Sequence, residues 1–237
     1  MKYSELYQTV CPPEKAKEEK FNVFGHYIGR PISVLLTLPL LKTKIKPNTI
    51  TVFSIISLLC GFVLVVIPYP FYLKYIGWGL FFIWNILDGV DGNLARAKKM
   101  YSMKGDLLDT LGGYLALVLT YLAIGICAYS ETPLVSIFDK FIYLILGGFA
   151  AIFSIFHRLM FHKKNSTYPD EKSEKKVGSS ILNVLLKVYI GNITCPTGFL
   201  QIYFLLALIF GFSNILICLF FMFTLLEMVA SLYKILR

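Results

Sequence analysis

The chain has 237 residues, of which 57% are hydrophobic and 16% charged, with a formal net charge of +9. That charge fraction is too low for a soluble domain of this size, and the apolar residues gather in runs of roughly 20, the length that crosses a bilayer core of about 30 Å. Lys and Arg collect in the loops on one side and no nucleic-acid motif accompanies them, so the basic balance points to a membrane face and excludes nucleic acid as the partner.

Residues 1–20 are polar, with Pro12, Pro13 and a mixed-charge run from Glu14 to Lys20. They read as a cytoplasmic tail with one helical turn and lack the early apolar core of a cleaved signal peptide. Residues 21–46 mix His26, Arg30 and Pro31 with Ile28, Ile32, Val34, Leu35 and Leu36. This pattern spans a bilayer poorly and predicts an amphipathic interfacial helix, with Arg30, Lys42, Lys44 and Lys46 able to face phosphates.

Residues 47–237 form the remainder, an all-α polytopic domain of six transmembrane helices. The first is predicted over Asn48–Ile67, opened by Pro47 at a helix start. Pro68 and Pro70 mark the turn to a second span over Phe71–Ala95. The third is expected over Gly105–Tyr129, with a turn at Glu131–Pro133, and the fourth over Leu134–Phe161. A lysine-rich cytoplasmic loop near residues 162–178 and a surface helix over Ser179–Tyr189 follow. Spans five and six are expected over Pro196–Phe212 and Ser213–Leu236. Lys98, Lys99, Lys104, the lysine-rich loop, Lys234 and Arg237 all fall on the side of the N-terminus, which places both termini in the cytoplasm of a cell-membrane protein. The five cysteines, Cys11, Cys60, Cys127, Cys195 and Cys218, form no CxxC pair and read as small packing residues.

The informative stretch runs from Asp88 to Asp109, DGVDGNLARAKKMYSMKGDLLD. Asp88 and Asp91 are three residues apart, on one helix face, at the cytoplasmic end of span two. Asp109 begins span three on the same side, and Asp106 lies one turn before it. Converging carboxylates repel unless a cation joins them, and acidic groups at membrane depth are costly without one. Oxygen-only ligands suit Mg²⁺ or Mn²⁺, and Mg²⁺ typically takes substrate phosphate into its shell. Two such ions would neutralise a pyrophosphate. Gly89 and Gly92 remove side chains where a backbone must approach a ligand, and Arg96 adds a charge suited to phosphate.

This stretch resembles the CDP-alcohol phosphotransferase signature DxxDGxxARx(7,8)GxxxDxxxD. Asp88, Asp91, Gly92, Ala95, Arg96, Gly105 and Asp109 match it, with eight residues between Arg96 and Gly105. The segment Lys46-Pro47-Asn48-Thr49-Ile50-Thr51 is similar to the family's approach to its first helix. The resemblance implies transfer of a substituted phosphate from a CDP-alcohol donor to the hydroxyl of a lipid or phosphorylated acceptor, with release of CMP, in phospholipid synthesis. It implies Asp88, Asp91 and Asp109 as ligands of two divalent metals. It implies a nucleotide site at Asp88, Gly89, Gly92, Ala95, Arg96, Gly105 and Thr51. It places basic residues such as His157 and Arg158, beside Arg30, against the acceptor's phosphate, and it implies a homodimer in contact with membrane lipids.

One position departs from the signature. The fourth Asp, which in the family helps hold a metal and acts as general base, is replaced by Gly113. Asp106 shares the helix face but lies about two turns away, roughly 10 Å by helical rise, so it is a substitute acid only from the other side of a metal. Three readings are compatible: an enzyme with another base or an ionised acceptor, a CDP-alcohol-binding member with impaired turnover, or an engineered disabling change. Two other classes fit less of the sequence. Mg²⁺-pyrophosphate-dependent membrane prenyltransferases need two separate Asp-rich motifs, and the chain has one. A transporter or scaffold would spread ionisable residues through the midplane, whereas Asp139 and Glu227 are the only acidic residues in the expected spans away from the motif.

Overall fold

The structure, a computed structural model, describes residues 2–13, 16, 20–131, 138–167, 188 and 190–236. Among the described residues the chain is helical, without strands, as the all-α reading expects. Helix α1 covers Tyr3–Val10. A π-helical turn at Gly25–Gly29 runs directly into α2, Arg30–Leu41. Then come α3 (Pro47–Val66), α4 (Leu73–Lys98), α5 (Met103–Ser130) and α6 (Lys140–Thr167). A second π turn at Ile190–Thr194 precedes α7 (Leu200–Phe210) and α8 (Ser213–Leu236). The expected surface helix Ser179–Tyr189 lies outside the described residues apart from Val188, and residues 162–167 of the expected loop extend α6.

Among the described residues four helices are long and apolar enough to cross a membrane: α3, α5, α6 over Lys140–Met160 and α8 over Ser213–Tyr233. The other two expected spans differ from these. Helix α4 has 26 residues, a length of about 39 Å, but carries Asp88, Asp91, Arg96 and Lys98 in its second half. Helix α7 has only 11 residues, about 17 Å, against the expected Pro196–Phe212. Its N-terminal side is cut back because residues 190–199 fold into turns, fastened through the Asn192 amide. That amide accepts from the Val23 N–H at 2.7 Å and donates to the Val188 carbonyl at 2.7 Å.

The chain divides into two compact units. The first comprises Met1–Ala116 with Val188–Ile202, the second Leu117–Lys187 with Tyr203–Arg237, so α5 passes from one to the other. In the first unit α3 and α4 meet backbone to backbone. A Cβ on Gly77 would stand 2.6 Å from the Gly61 carbonyl oxygen, and one on Gly61 would stand 2.8 Å from that of Gly77. Only glycine allows this approach, the usual device where helices associate without a hydrophobic gain. Helix α2 lies on α4 over Ile50, Ile86, Val90 and Leu94, with Leu40 and Leu41 packed against them.

The N-terminal segment, expected as a polar tail with one turn, forms the two turns of α1. Leu6 and Val10 are wholly buried against Val34, with Leu38, Leu41 and Ala97 beside them. The i,i+4 spacing of Leu6 and Val10 aims both at α2, a short pattern hidden by the charged residues after it. In the second unit Gly125 and Gly147 bring α5 and α6 together, a Cβ on either standing 3.1 Å from the other's Cα. Tyr121 meets Phe220 of α8 edge-on at 5.5 Å.

Candidate active site

The last turns of α4 present Asn85, Asp88, Gly89, Gly92, Ala95 and Arg96 at alternating spacings of three and four, which is one face of a helix. The start of α5 adds Gly105, Asp106 and Asp109, and α3 adds Asn48 and Thr51. The π turn and α2 add His26, Arg30 and Ser33. All of these line one cavity of about 730 Å³ in the first unit. The structure therefore gathers Asp88, Asp91, Asp106, Asp109, Gly89, Gly92, Ala95, Arg96, Gly105, Thr51 and Arg30 around a single space.

The remaining expected residues lie elsewhere. Gly113 is buried one turn beyond Asp109 and does not line the cavity. His157 and Arg158 belong to the second unit. There His157 Nδ1 bonds to Ser231 Oγ at 2.6 Å, and that hydroxyl donates to the Glu227 carbonyl at 2.8 Å, so Nδ1 is the donor of the first bond.

The carboxylates are unequally placed. Asp91 is 4% exposed, and its Oδ2 is buried with no hydrogen-bond partner. It lies within electrostatic reach of Asp109 and Arg96, and Thr51 is beside it. Asp106 and Asp109 are exposed and Asp88 is half-buried. Among the described residues no three His, Cys, Asp or Glu side chains stand close enough together to hold a metal ion by themselves. Convergence of the acids thus holds for the cavity as a whole and not as a closed three-acid cluster. An orphaned buried carboxylate oxygen facing a second carboxylate still fits a hard divalent cation that takes its other ligands from substrate phosphate.

The positive side of the cavity is organised by a residue that the sequence reading missed. Asn93, fully buried, accepts from Arg30 Nη1 at 2.8 Å and from Arg96 Nη2 at 3.1 Å through the same Oδ1. Its Nδ2 donates to Ser33 Oγ at 3.1 Å. Two guanidinium groups from different helices are held side by side on one amide oxygen. Such a pair suits a polyanion, since each group brings fixed, forked donors.

The motif glycines serve packing as well as access. A Cβ on Gly89 would stand 2.9 Å from Ser33 Cβ, one on Gly92 3.1 Å from Arg96 Nη2, and one on Gly105 2.8 Å from Asn48 Oδ1. Glycine at 89 lets α2 lie close to α4, and glycine at 92 lets the Arg96 side chain fold back over its own helix. Asn22, Gly25 and Thr197 were also unforeseen as cavity residues. The signal available for the N-terminal wall was the spacing Asn22, Gly25, His26, Gly29, Arg30, Ser33, a polar and glycine stripe at helical period.

A family model described as CDP-alcohol phosphatidyltransferase matches residues 44–226. No curated protein sequence matches the chain.

Proposed function

The chain belongs to the CDP-alcohol phosphatidyltransferase family, and on that footing we propose that its first unit transfers a substituted phosphate from a CDP-alcohol to an acceptor hydroxyl and releases CMP. The family is one of transferases that act in lipid synthesis and generally use divalent metals. The observation that carries the reading is the meeting of both halves of the Asp motif with two guanidinium groups in one cavity.

Asp88, Asp91 and Asp109 are the residues to hold Mg²⁺ or Mn²⁺, with Asp106 at the rim, and two ions are our expectation. Held by these carboxylates, a divalent ion would supply charge neutralisation to a pyrophosphate and to the leaving phosphate. Arg30 and Arg96, fixed by Asn93, orient the donor's phosphates and lower the charge met by the incoming oxygen. Gly92, Ala95 and Gly105 leave the cavity wall low enough for a nucleotide. The acceptor oxygen forms the new P–O bond as the bond to the CMP oxygen breaks, and its proton leaves for solvent or a cavity base. Six spans, a homodimer, and a site and termini on the cytoplasmic side complete the reading, and the basic residues Lys98, Lys99 and Lys104 beside the motif support the orientation.

The test is CMP release by the purified chain with Mg²⁺ or Mn²⁺, a panel of CDP-alcohols and mixed acceptors. Metal-dependent release is expected from the native chain and only background from Asp91→Ala. Release by Gly113→Asp alone would make the native chain a disabled form on a competent scaffold. No release together with no metal-dependent nucleotide binding would overturn the reading.

A further inference from the structure

Helix α1 contributes no residue to the cavity lining, yet it touches both helices that carry the arginine pair. Leu6 and Val10, wholly buried, rest on Val34 of α2 with Ala97 of α4 beside them. Each of these contacts adjoins the network on Asn93. Val34 follows Ser33, whose hydroxyl accepts from Asn93 Nδ2 at 3.1 Å. Ala97 follows Arg96, which donates to Asn93 Oδ1 at 3.1 Å. Arg30, the other donor to that oxygen, stands one helical turn before Val34. Helix α1 therefore bridges α2 and α4 at the level where the two guanidinium groups are joined.

Other fastenings of these helices lie elsewhere along them. The apolar cluster between α2 and α4 takes Leu40 and Leu41, in the last turn of α2. Lys98 Nζ donates to the carbonyls of Thr43 at 2.8 Å and Ile45 at 2.9 Å, on the link between α2 and α3. The length of α1 makes its seating conditional. Eight residues, about 12 Å, are too few to hold a helix in water without tertiary contact. Its outward residues Ser4, Glu5, Gln8 and Thr9 are exposed, and the bonds on that side are local. The Lys2 N–H donates to Glu5 Oε2 at 2.9 Å and the Thr9 hydroxyl to the Glu5 carbonyl at 2.8 Å. Burial of Leu6 and Val10 thus decides whether α1 is folded and seated.

We propose that α1 is a latch on the arginine pair. Seated, it holds α2 against α4 so that Arg30 and Arg96 share the Asn93 oxygen. Unseated, α1 unfolds, the shared contact loosens and the site holds the donor's phosphates less well. Leu6 and Val10 are positioning residues that act through Asn93. The proposal adds a control element to the transferase reading and rests on it for the identity of the anion. Couplings between separate sites typically amount to about 5- to 150-fold. Because α2 keeps its contacts at Leu40 and Leu41, the effect falls near the low end, about tenfold.

The experiment uses the full chain in detergent with Mn²⁺. Leu6→Gln, and the double variant Leu6→Gln/Val10→Gln, unseat α1 without altering the charge near the arginines. Hydrogen exchange reports the seating: α1 amides are protected in the native chain and exchange freely in the double variant, while those of α3 stay protected. CMP release reports the site. The double variant should lower kcat/KM for the CDP donor about tenfold, and Leu6→Gln by a smaller factor in the same direction. In an Asn93→Ala background the same changes should cost less than about twofold, because the contact through which they act is already gone. A merely structural role would lower activity equally in both backgrounds, and that result overturns the latch. So does an unaltered donor kcat/KM once α1 exchanges freely, or α1 amides that are unprotected in the native chain or still protected in the double variant. If no chain releases CMP, the transferase reading fails by itself. Equilibrium dialysis of inorganic pyrophosphate then decides the latch: binding about tenfold weaker in the double variant supports it, and equal binding or none overturns it.

Discussion

Asn93→Ala tests whether the arginine pair is an organised feature of the site. The amide oxygen accepts from Arg30 at 2.8 Å and from Arg96 at 3.1 Å, and the residue is completely buried. A hydrogen bond from a charged donor contributes about 1.5–3 kcal/mol. Both guanidinium groups line the cavity and regain water when the amide is removed, so about half of the sum of the two bonds is lost, or about 1.5–3 kcal/mol. Charge is kept and only position is lost, so the deficit should fall on the transition state as a drop of about 13- to 150-fold in kcat/KM for the CDP donor. The assay is metal-dependent CMP release at low donor concentration, run beside thermal unfolding to show that the variant is folded. A double-mutant cycle with Arg96→Ala should be non-additive by about 1–2 kcal/mol, because each change removes the same contact. A folded Asn93→Ala protein within about threefold of native activity, or strict additivity in the cycle, would refute the reasoning.

Asp91→Asn should abolish metal-dependent CMP release yet raise the melting temperature of the metal-free protein, because the buried Oδ2 lacks a partner and the change removes a charge facing Asp109. Thermal scans with and without chelator measure both effects. EDTA should stop release by the native chain and added Mn²⁺ should restore it. Gly77→Ala would place a Cβ 2.6 Å from the Gly61 carbonyl oxygen and 2.7 Å from Val65 Cγ2, where backbone has to move. A loss of about 2–3 kcal/mol is expected, read as a lower unfolding midpoint or failure to purify. Leu6→Ala, at a fully buried position of α1, should destabilise by about 2–4 kcal/mol, whereas a loose tail would tolerate it without change.

Periodic and compositional features were legible in the one-dimensional pattern. Twenty-residue apolar runs can only be spanning or buried helices, so the all-α membrane architecture follows from the length and composition of α3, α5, α6 and α8. The acidic motif was equally legible, because Asp88, Asp91, Asp106 and Asp109 share helix faces through local spacing, and the short link between α4 and α5 keeps those helix ends together. The Leu6–Val10 contact with Val34 and the truncation of α7 were not legible. Both depend on which distant surface a short segment meets: α1 finds an apolar groove on α2, and residues 190–199 find bonding partners at Phe21, Val23 and Asn85. The contact between Asn22 and Thr197 was hidden for the same reason. Asn22 and Thr197 are 175 positions apart, and no local rule pairs an asparagine of one surface segment with a threonine of another. Asn93 falls at an unspecified position of the signature, and its importance arises only when α2 packs on α4 and brings Arg30 to the oxygen that already holds Arg96. Local spacing placed the acids, whereas long-range packing decided which neutral groups and which arginines face them.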